Sequence, residues 1–296
     1  MADAGRWVWI GGEGEPVAPE EARLSALDHA YLYGSGLYET LRTYHARPFA
    51  LAAHLERLRR GAERVGFPPL PLEEMGGALR ALAARRAPED SYLRLTASPG
   101  LQFPGWHTAL EGPVRWAAYA GPLAPRVAVH YDRGVRCVVG SRPRWNPGGF
   151  APAVKFAANP EFVLARKEAA ASEAFEVLLL NDRGFLAEGS SSNVFLVKGG
   201  KLVTPDLASG ILDGVTRHVL LHLSTKADIG AEERPVRPEE IGEAQEIFVA
   251  STLKEVVPVV EVDGRPVGSG APGAITGRLL RLFREYALEN TQGEAP

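Results

Sequence analysis

Lys155 stands alone in the run "GGFAPAVKFAANPEF" (148–162), with no acid before Glu161. An ammonium taken out of water without a partner is costly. Such a lysine either keeps its head at the surface or is used as an amine. The chain holds six Lys (155, 167, 198, 201, 226 and 254) against 27 Arg, so a generic cation here is usually Arg, which stays protonated and cannot supply a free amine. Glu188, in "AEGSSSN", sets an acid ahead of a Gly/Ser turn, and "DGVTR" (213–217) puts Gly214 and the amides of Val215 and Thr216 at the start of a helical pattern. Ser251 and Thr252 in "VASTLKE" interrupt an apolar strand. An amine to hold an aldehyde, an acid for a pyridine nitrogen and a helix N-terminus for a phosphate are what Schiff-base chemistry with pyridoxal phosphate needs. Each also has an ordinary structural reading: Glu188 as a solvated turn acid, Asp213 as an N-cap, Ser251 and Thr252 bonding their own backbone.

The elements that must carry these groups follow from periodicity. "RWVWIGG" reads as a strand, and "AYLYGSGLYETLRTYHARPFAL" (30–51) as a strand entering and leaving a Gly-containing bend, with "HARP" as a turn. Leu51, Leu55, Leu58, Ala62 and Val65 recur at helical spacing up to Gly66, and a second helix follows Pro71 with Glu73 and Glu74 in its first turn. "SYLRLTAS" and "VRWAAYAGPL" read as strands, and the Pro/Gly break "GPLAPR" (121–126) as an interdomain linker. Then come strands "RVAVHY" and "RCVVGSRP", the Lys155 loop, helix "PEFVLARKEAAAS", a meander interrupted by "EGSSSN", a helix after Gly214, two strands around "STLKE" and a closing helix.

Composition narrows the function. The chain has 296 residues, 45% of them hydrophobic and 23% charged, with a net charge of −3 and no basic excess to neutralise phosphates in number, so no nucleic-acid partner is expected. No apolar run reaches the ~18–20 residues of a membrane span, and the first residues lack the basic and apolar regions of a signal peptide, so the expectation is a soluble cytoplasmic protein without a membrane partner. One cysteine, Cys137, excludes an internal disulfide and a Cys-rich metal site; no metal is expected.

Seven segments in order, "DHAYLYGSGLYETLR" (28–42), "HLERL" (54–58), "YLRLTASPG" (92–100), "VKFAANPEFVLARKEA" (154–169), "LLLNDRGFLAEGSSSNVF" (178–195), "LVTPDLASGILDGVTR" (202–217) and "ASTLKEVVPV" (250–259), resemble the class IV aminotransferases. These are fold-type-IV pyridoxal phosphate enzymes, among them branched-chain and D-amino-acid aminotransferases and 4-amino-4-deoxychorismate lyases. The resemblance implies an α/β (α+β) chain of two domains: a smaller α/β domain over 1–120, a linker over 121–130 and a larger cofactor-binding domain with mixed sheets over 131–296. It implies Lys155 as the amine that holds pyridoxal 5'-phosphate and moves the substrate proton, and Glu188 as the partner of the pyridine nitrogen. Arg57, the amides of Val215 and Thr216 and the hydroxyl of Thr252 would bind the phosphate, with Ser251 also on the cofactor. A homodimer is implied as well.

The lysine loop departs from many relatives, which carry Asn and Tyr shortly after the lysine. Here Ala158 and Asn159 fall at those positions, and the Asn159 amide is the group left to reach the cofactor's phenolate oxygen. For the substrate, the resemblance points to Tyr92 and Arg94 of "YLRL", with Tyr38 and Arg42 on a neighbouring strand and Tyr33 and Leu253 near the pocket. Tyr31, Phe103 and Trp106 suggest an apolar side-chain pocket, and the loop after "YLRL" has His107 but no Arg, so the usual D-amino-acid trap is absent or altered. The expected reaction is transfer of an amino group from an amino acid or amine to a 2-oxo acid; the alternative is a 4-amino-4-deoxychorismate lyase releasing pyruvate.

Overall fold

The structure is a computed structural model that describes residues 5–101, 112–125, 128–144 and 154–292. Phe103, Trp106 and His107 lie outside the described residues. The chain divides into two compact units, one of residues 1–125, 153–158 and 287–296, the other of 126–152 and 159–286.

In the first unit the elements are β1 (Trp7–Ile10), α1 (His29–Tyr33), β2 (Leu37–Tyr44), β3 (Arg47–Pro48), α2 (Leu51–Arg64), α3 (Leu72–Arg85), β4 (Ser91–Ser98) and β5 (Arg115–Pro122). The strands form an antiparallel sheet in the order β1-β5-β4-β2-β3. Strand alternation puts Leu37 and Leu41 of β2, Leu93 and Leu95 of β4, and Ala118 and Ala120 of β5 into one buried cluster with Leu51 and Leu58 of α2 and Met75, Leu79 and Leu82 of α3. One end of the expected strand–bend–strand is helical instead. Asp28 accepts a hydrogen bond from Ala30 N at 2.8 Å, and Gly34, at φ 69°, closes the turn in the left-handed region, so the local caps outweigh the strand propensity of Tyr31 and Tyr33.

Val154 joins the cluster of the first unit. The segment after it runs along the start of β2, which β3 pairs only at Thr43 and Tyr44: Tyr38 N donates to Lys155 O at 3.0 Å, Ala157 N donates to Gly36 O at 2.7 Å, and Phe156 bridges Leu37. The lysine is thus held by the backbone of a strand more than a hundred residues earlier.

The second unit contains α4 (Ala128–Asp132), β6 (Val135–Val139), α5 (Pro160–Ala171), β7 (Glu176–Leu180), β8 (Leu186–Gly189), β9 (Asn193–Lys198), β10 (Lys201–Thr204), α6 (Val215–Lys226), β11 (Ala231–Glu233), α7 (Glu240–Glu243), β12 (Glu246–Ser251), β13 (Glu255–Val262), β14 (Arg265–Pro266) and α8 (Ala274–Gln292), which continues into the first unit. Its sheet is mixed, in the order β11-β10-β9-β12-β13-β6-β7-β8 with β14 on β13; β10–β11, β13–β6 and β6–β7 are parallel and the other pairs antiparallel. Residues 128–132, read from sequence as part of a strand, form a short helix ending before Gly134 at φ 76°. Three apolar positions in so short a run do not separate the two periodicities.

Two tight turns join neighbouring strands of this sheet. Ser190 and Ser191 close the β8–β9 hairpin, where Gly189 N donates to Ser192 O at 2.7 Å. Thr252, Leu253 and Lys254 connect β12 to β13, closed by the Ser251–Glu255 pair with Glu255 at φ 58°.

Candidate active site

The first unit carries the amine. Lys155 Nζ lies 4.7 Å from the centroid of the Tyr38 ring, and among the described residues no carboxylate pairs with it. Arg94 Cζ lies 4.0 Å from the centroid of the same ring, its Nε donates to Thr96 Oγ1 at 3.3 Å, and it too has no carboxylate partner among the described residues. Registers Tyr38–Thr96, Thr40–Arg94 and Arg42–Tyr92 put Tyr38, Arg42, Tyr92 and Arg94 on one face of β2 and β4, opposite the apolar face that packs on α2 and α3. Arg42 is buried, 4.3 Å over the Tyr44 ring and 4.0 Å from Asp90, while Tyr92 packs edge-on against Tyr119. Tyr33 is exposed at the end of α1 beside His29.

On the other face of β2, Glu39 is fully buried and in phase with Leu37 and Leu41. Arg57 Nε donates to Glu39 Oε1 at 2.7 Å and Arg57 Nη2 to Oε2 at 2.6 Å, while His54 Nδ1 lies 2.7 Å from Oε2. Burial would raise the Glu39 carboxyl, but the Arg57 charge and the His54 contact outweigh it and hold the group at about 2. Burial lowers His54 despite the carboxylate, so the imidazole is neutral near pH 7 and Nδ1 carries the donated proton. Its Nε2 is buried without a hydrogen-bond partner among the described residues.

The second unit carries Glu188 and the N-terminus of α6. Glu188 is buried in β8; Arg144 Nε donates to its Oε1 at 2.6 Å, and Leu212 N donates to its Oε2 at 2.9 Å, with Asn193 Nδ2 at 3.4 Å. Asn193 also donates to Leu212 O at 3.0 Å, which ties the loop before α6 to the end of β8. Gly214 is the N-cap residue of α6 and offers no side chain to the amides of Val215 and Thr216. A Cβ at 214 would overlap Asn193 Oδ1, so the Asn193 side chain packs directly on this buried glycine. Thr216 is buried.

Ser251, Thr252 and Leu253 are half-buried in the β12–β13 turn. The turn is anchored by the ion pair of Lys254 with Glu176, by Tyr131 Oη donating to Lys254 O at 3.1 Å, and by Arg284 Nε donating to Glu255 Oε2 at 2.8 Å. Glu176 is itself bonded by Ser190 and Ser192, so one buried carboxylate joins the turn after Glu188 to the turn bearing Thr252. Asn159 sits at the N-cap position of α5.

Sequence reading missed Glu39, His54, Arg144, Asn193 and the Glu176–Lys254 pair. For Glu39 a signal existed, since an acid alternating in phase with Leu37 and Leu41 must be buried and paired. For Arg144, in "SRPRWNP", none did.

The residues present offer what a phosphate-bearing aldehyde cofactor needs: in the first unit an amine with no carboxylate partner among the described residues, and in the second a buried acid met by three donors and a helix whose first amides receive no side-chain cap. An enzyme acting on amines is the class that this fold and these groups define. The chain belongs to the class IV aminotransferases, the family described as amino-transferase class IV matching residues 36–262. It is similar to the D-alanine aminotransferase of Bacillus licheniformis, 30% identical over 92% of this chain and 94% of that one. Among solved structures it is similar to the branched-chain amino acid aminotransferase of Escherichia coli, with TM-score 0.89 and 28% identity over 99% of this chain and 97% of that one. It is also similar to the branched-chain amino acid aminotransferase of Thermobaculum terrenum in its PLP-bound holo-form, with TM-score 0.86 and 27% identity over 98% and 95%. The chain is therefore an aminotransferase, with the mixed α/β fold of these structures, and nothing found favours the lyase alternative.

Proposed function

We propose that the protein moves the amino group of an α-amino acid with an apolar side chain to a 2-oxo acid, using pyridoxal 5'-phosphate held by Lys155. The observation that carries this reading is the shared Tyr38 ring, with Lys155 Nζ at 4.7 Å and the Arg94 guanidinium at 4.0 Å. A carboxylate drawn to Arg94, with Tyr92 on the same sheet face, brings its own α-carbon toward the lysine amine. The relatives named above act, by name, on branched-chain amino acids and on D-alanine, which agrees with an apolar substrate side chain.

When bound, the cofactor supplies an aldehyde that takes up the amino group and a pyridine ring that accepts the electron pair left when the α-proton departs. Lys155 Nζ holds the cofactor and moves the proton at the substrate α-carbon. Glu188, kept in place by Arg144, Leu212 N and Asn193, keeps a proton at the ring nitrogen. Arg57, the Val215 and Thr216 amides, and the Ser251 and Thr252 hydroxyls bind the phosphate, and the Asn159 amide serves the phenolate oxygen. Tyr33, Arg42 and Leu253 shape the substrate side. The same reading takes the working protein to be a cytoplasmic homodimer; among the described residues no helix is long and apolar enough to cross a membrane.

The test compares amino acids with the amines that lack only the carboxyl group, using both enantiomers, with 2-oxo acid release as the readout. Arg94→Gln is expected to lower kcat/KM for amino acids by roughly 10–100-fold, the worth of a charge-assisted hydrogen bond, and to leave the amines unchanged. Borohydride treatment of the holoenzyme is expected to leave the cofactor covalently on the peptide containing Lys155. A tag on another residue, or equal loss for acids and amines, would overturn the assignment.

A further inference from the structure

We infer that Glu39 and His54 are positioning residues for the phosphate of the cofactor, acting through Arg57. The inference rests on the reading of Arg57 given above. Glu39 is fully buried on the apolar face of β2, and its two oxygens take the Nε–Nη2 edge of Arg57 at 2.7 and 2.6 Å. A guanidinium has five N–H groups in one plane, so a fork engaged along one edge fixes that plane and turns the opposite edge away from Glu39. His54 lies one helical turn before Arg57 on α2 and contacts Oε2, the oxygen that also takes Arg57 Nη2. With Nδ1 as its donor, the neutral ring stops the carboxylate from rotating and adds no second cation to the group.

Holding α2 on the sheet does not require this arrangement. Leu51, Leu58 and Ala62 of α2 already pack in one cluster with Leu37 and Leu41 of β2. A buried ion pair contributes little net stability compared with apolar residues of the same volume, so what it adds here is a defined geometry. Orientation matters for Arg57 because a planar fork binds phosphate well in few directions, and a flexible arginine must first be ordered.

The experiment measures the affinity of the full-length chain, freed of cofactor, for pyridoxal 5'-phosphate and for pyridoxal, which lacks the phosphate. Arg57→Gln is expected to weaken the phosphorylated ligand alone. Glu39→Gln is expected to do the same by about tenfold or more, the usual scale for removing a group that orients a ligand-binding side chain, and to add nothing in the Arg57→Gln background. His54→Asn, whose amide can replace the Nδ1 donor, is expected to retain affinity that His54→Ala loses. Should Glu39→Gln fail to fold, Glu39→Asp serves, with a smaller loss confined to the phosphorylated ligand. Equal weakening of both ligands by the Glu39 variants, or no weakening where Arg57→Gln weakens, overturns the inference. If Arg57→Gln itself changes nothing, the phosphate assignment of Arg57 is what fails.

Discussion

Glu39 is the residue through which pH should act most directly on this fold. Its carboxyl sits at about 2 in the folded chain against an ordinary 4.5, because burial, which alone would raise it, is outweighed by the charge and hydrogen bonds of Arg57 together with the His54 contact. A depressed carboxyl contributes stability that is present above about pH 4.5 and is lost as pH falls toward 2. A shift of this size corresponds to about 3 kcal/mol of the difference in unfolding free energy between the two ends of that range. Urea titrations at successive pH values should show this loss in the wild type and a flatter profile in Glu39→Gln. Parallel profiles for the two chains would mean that Glu39 titrates normally. The residue is within reach of the sequence, since it alternates with Leu37 and Leu41 and is the one charged group on that face of the strand. Lys155 stands out in the sequence as a lone cation in an apolar run, whereas Glu188 reads locally as a turn acid and is singled out by the family resemblance. Arg144 is not legible, because its role is set by a contact with a residue 44 positions later.

At the level of elements, the β12–β13 turn is a short loop secured from three directions. Lys254 reaches Glu176 of β7, its carbonyl accepts from Tyr131 of α4, and Glu255, in a backbone region that a non-glycine residue seldom adopts, is held by Arg284 of α8. Burial raises the Glu176 carboxyl, and Lys254 with Ser190 and Ser192 more than reverses that. Removing one partner of such a pair strands a buried charge, so Lys254→Met is expected to cost about 3 kcal/mol in chemical denaturation. The double variant Lys254→Met/Glu176→Gln should cost less than the sum of its singles. Additive losses would show that the two side chains do not interact. Long periodic elements were readable in advance: the helices starting at Leu51 and Leu72, and the strands at 91–98 and 115–122, stand where their repeats place them. The misses are short. Asp28 with Gly34 makes a helical turn of a Tyr-rich stretch, and residues 128–132 are too few for a period to declare itself.

At the scale of the whole molecule, the first unit is not a contiguous piece of chain. Residues 153–158 return to it after the chain has entered the second unit, and residues from 287 onward return again. The middle return supplies real substance: Val154 in the apolar cluster, Phe156 against Leu37, and two backbone hydrogen bonds to Gly36 and Tyr38. Sequence reading could not see this, because a strand edge completed from a distance leaves no local period. A fragment of residues 1–125 keeps all five strands of its sheet yet exposes the β2 edge and the apolar groups that Val154 and Phe156 cover. Expressed alone, it is expected to unfold at a lower temperature than the full chain, or with no cooperative transition, and to bind a hydrophobic dye. A peptide of residues 153–158 joined to its C-terminus by a flexible linker should raise that transition. The same peptide with Val154 and Phe156 replaced by Ser should not, because the backbone bonds alone would then be set against the entropy of ordering the segment. A fragment melting at the full-length temperature would show that the lysine segment is carried by the first unit without helping to hold it together.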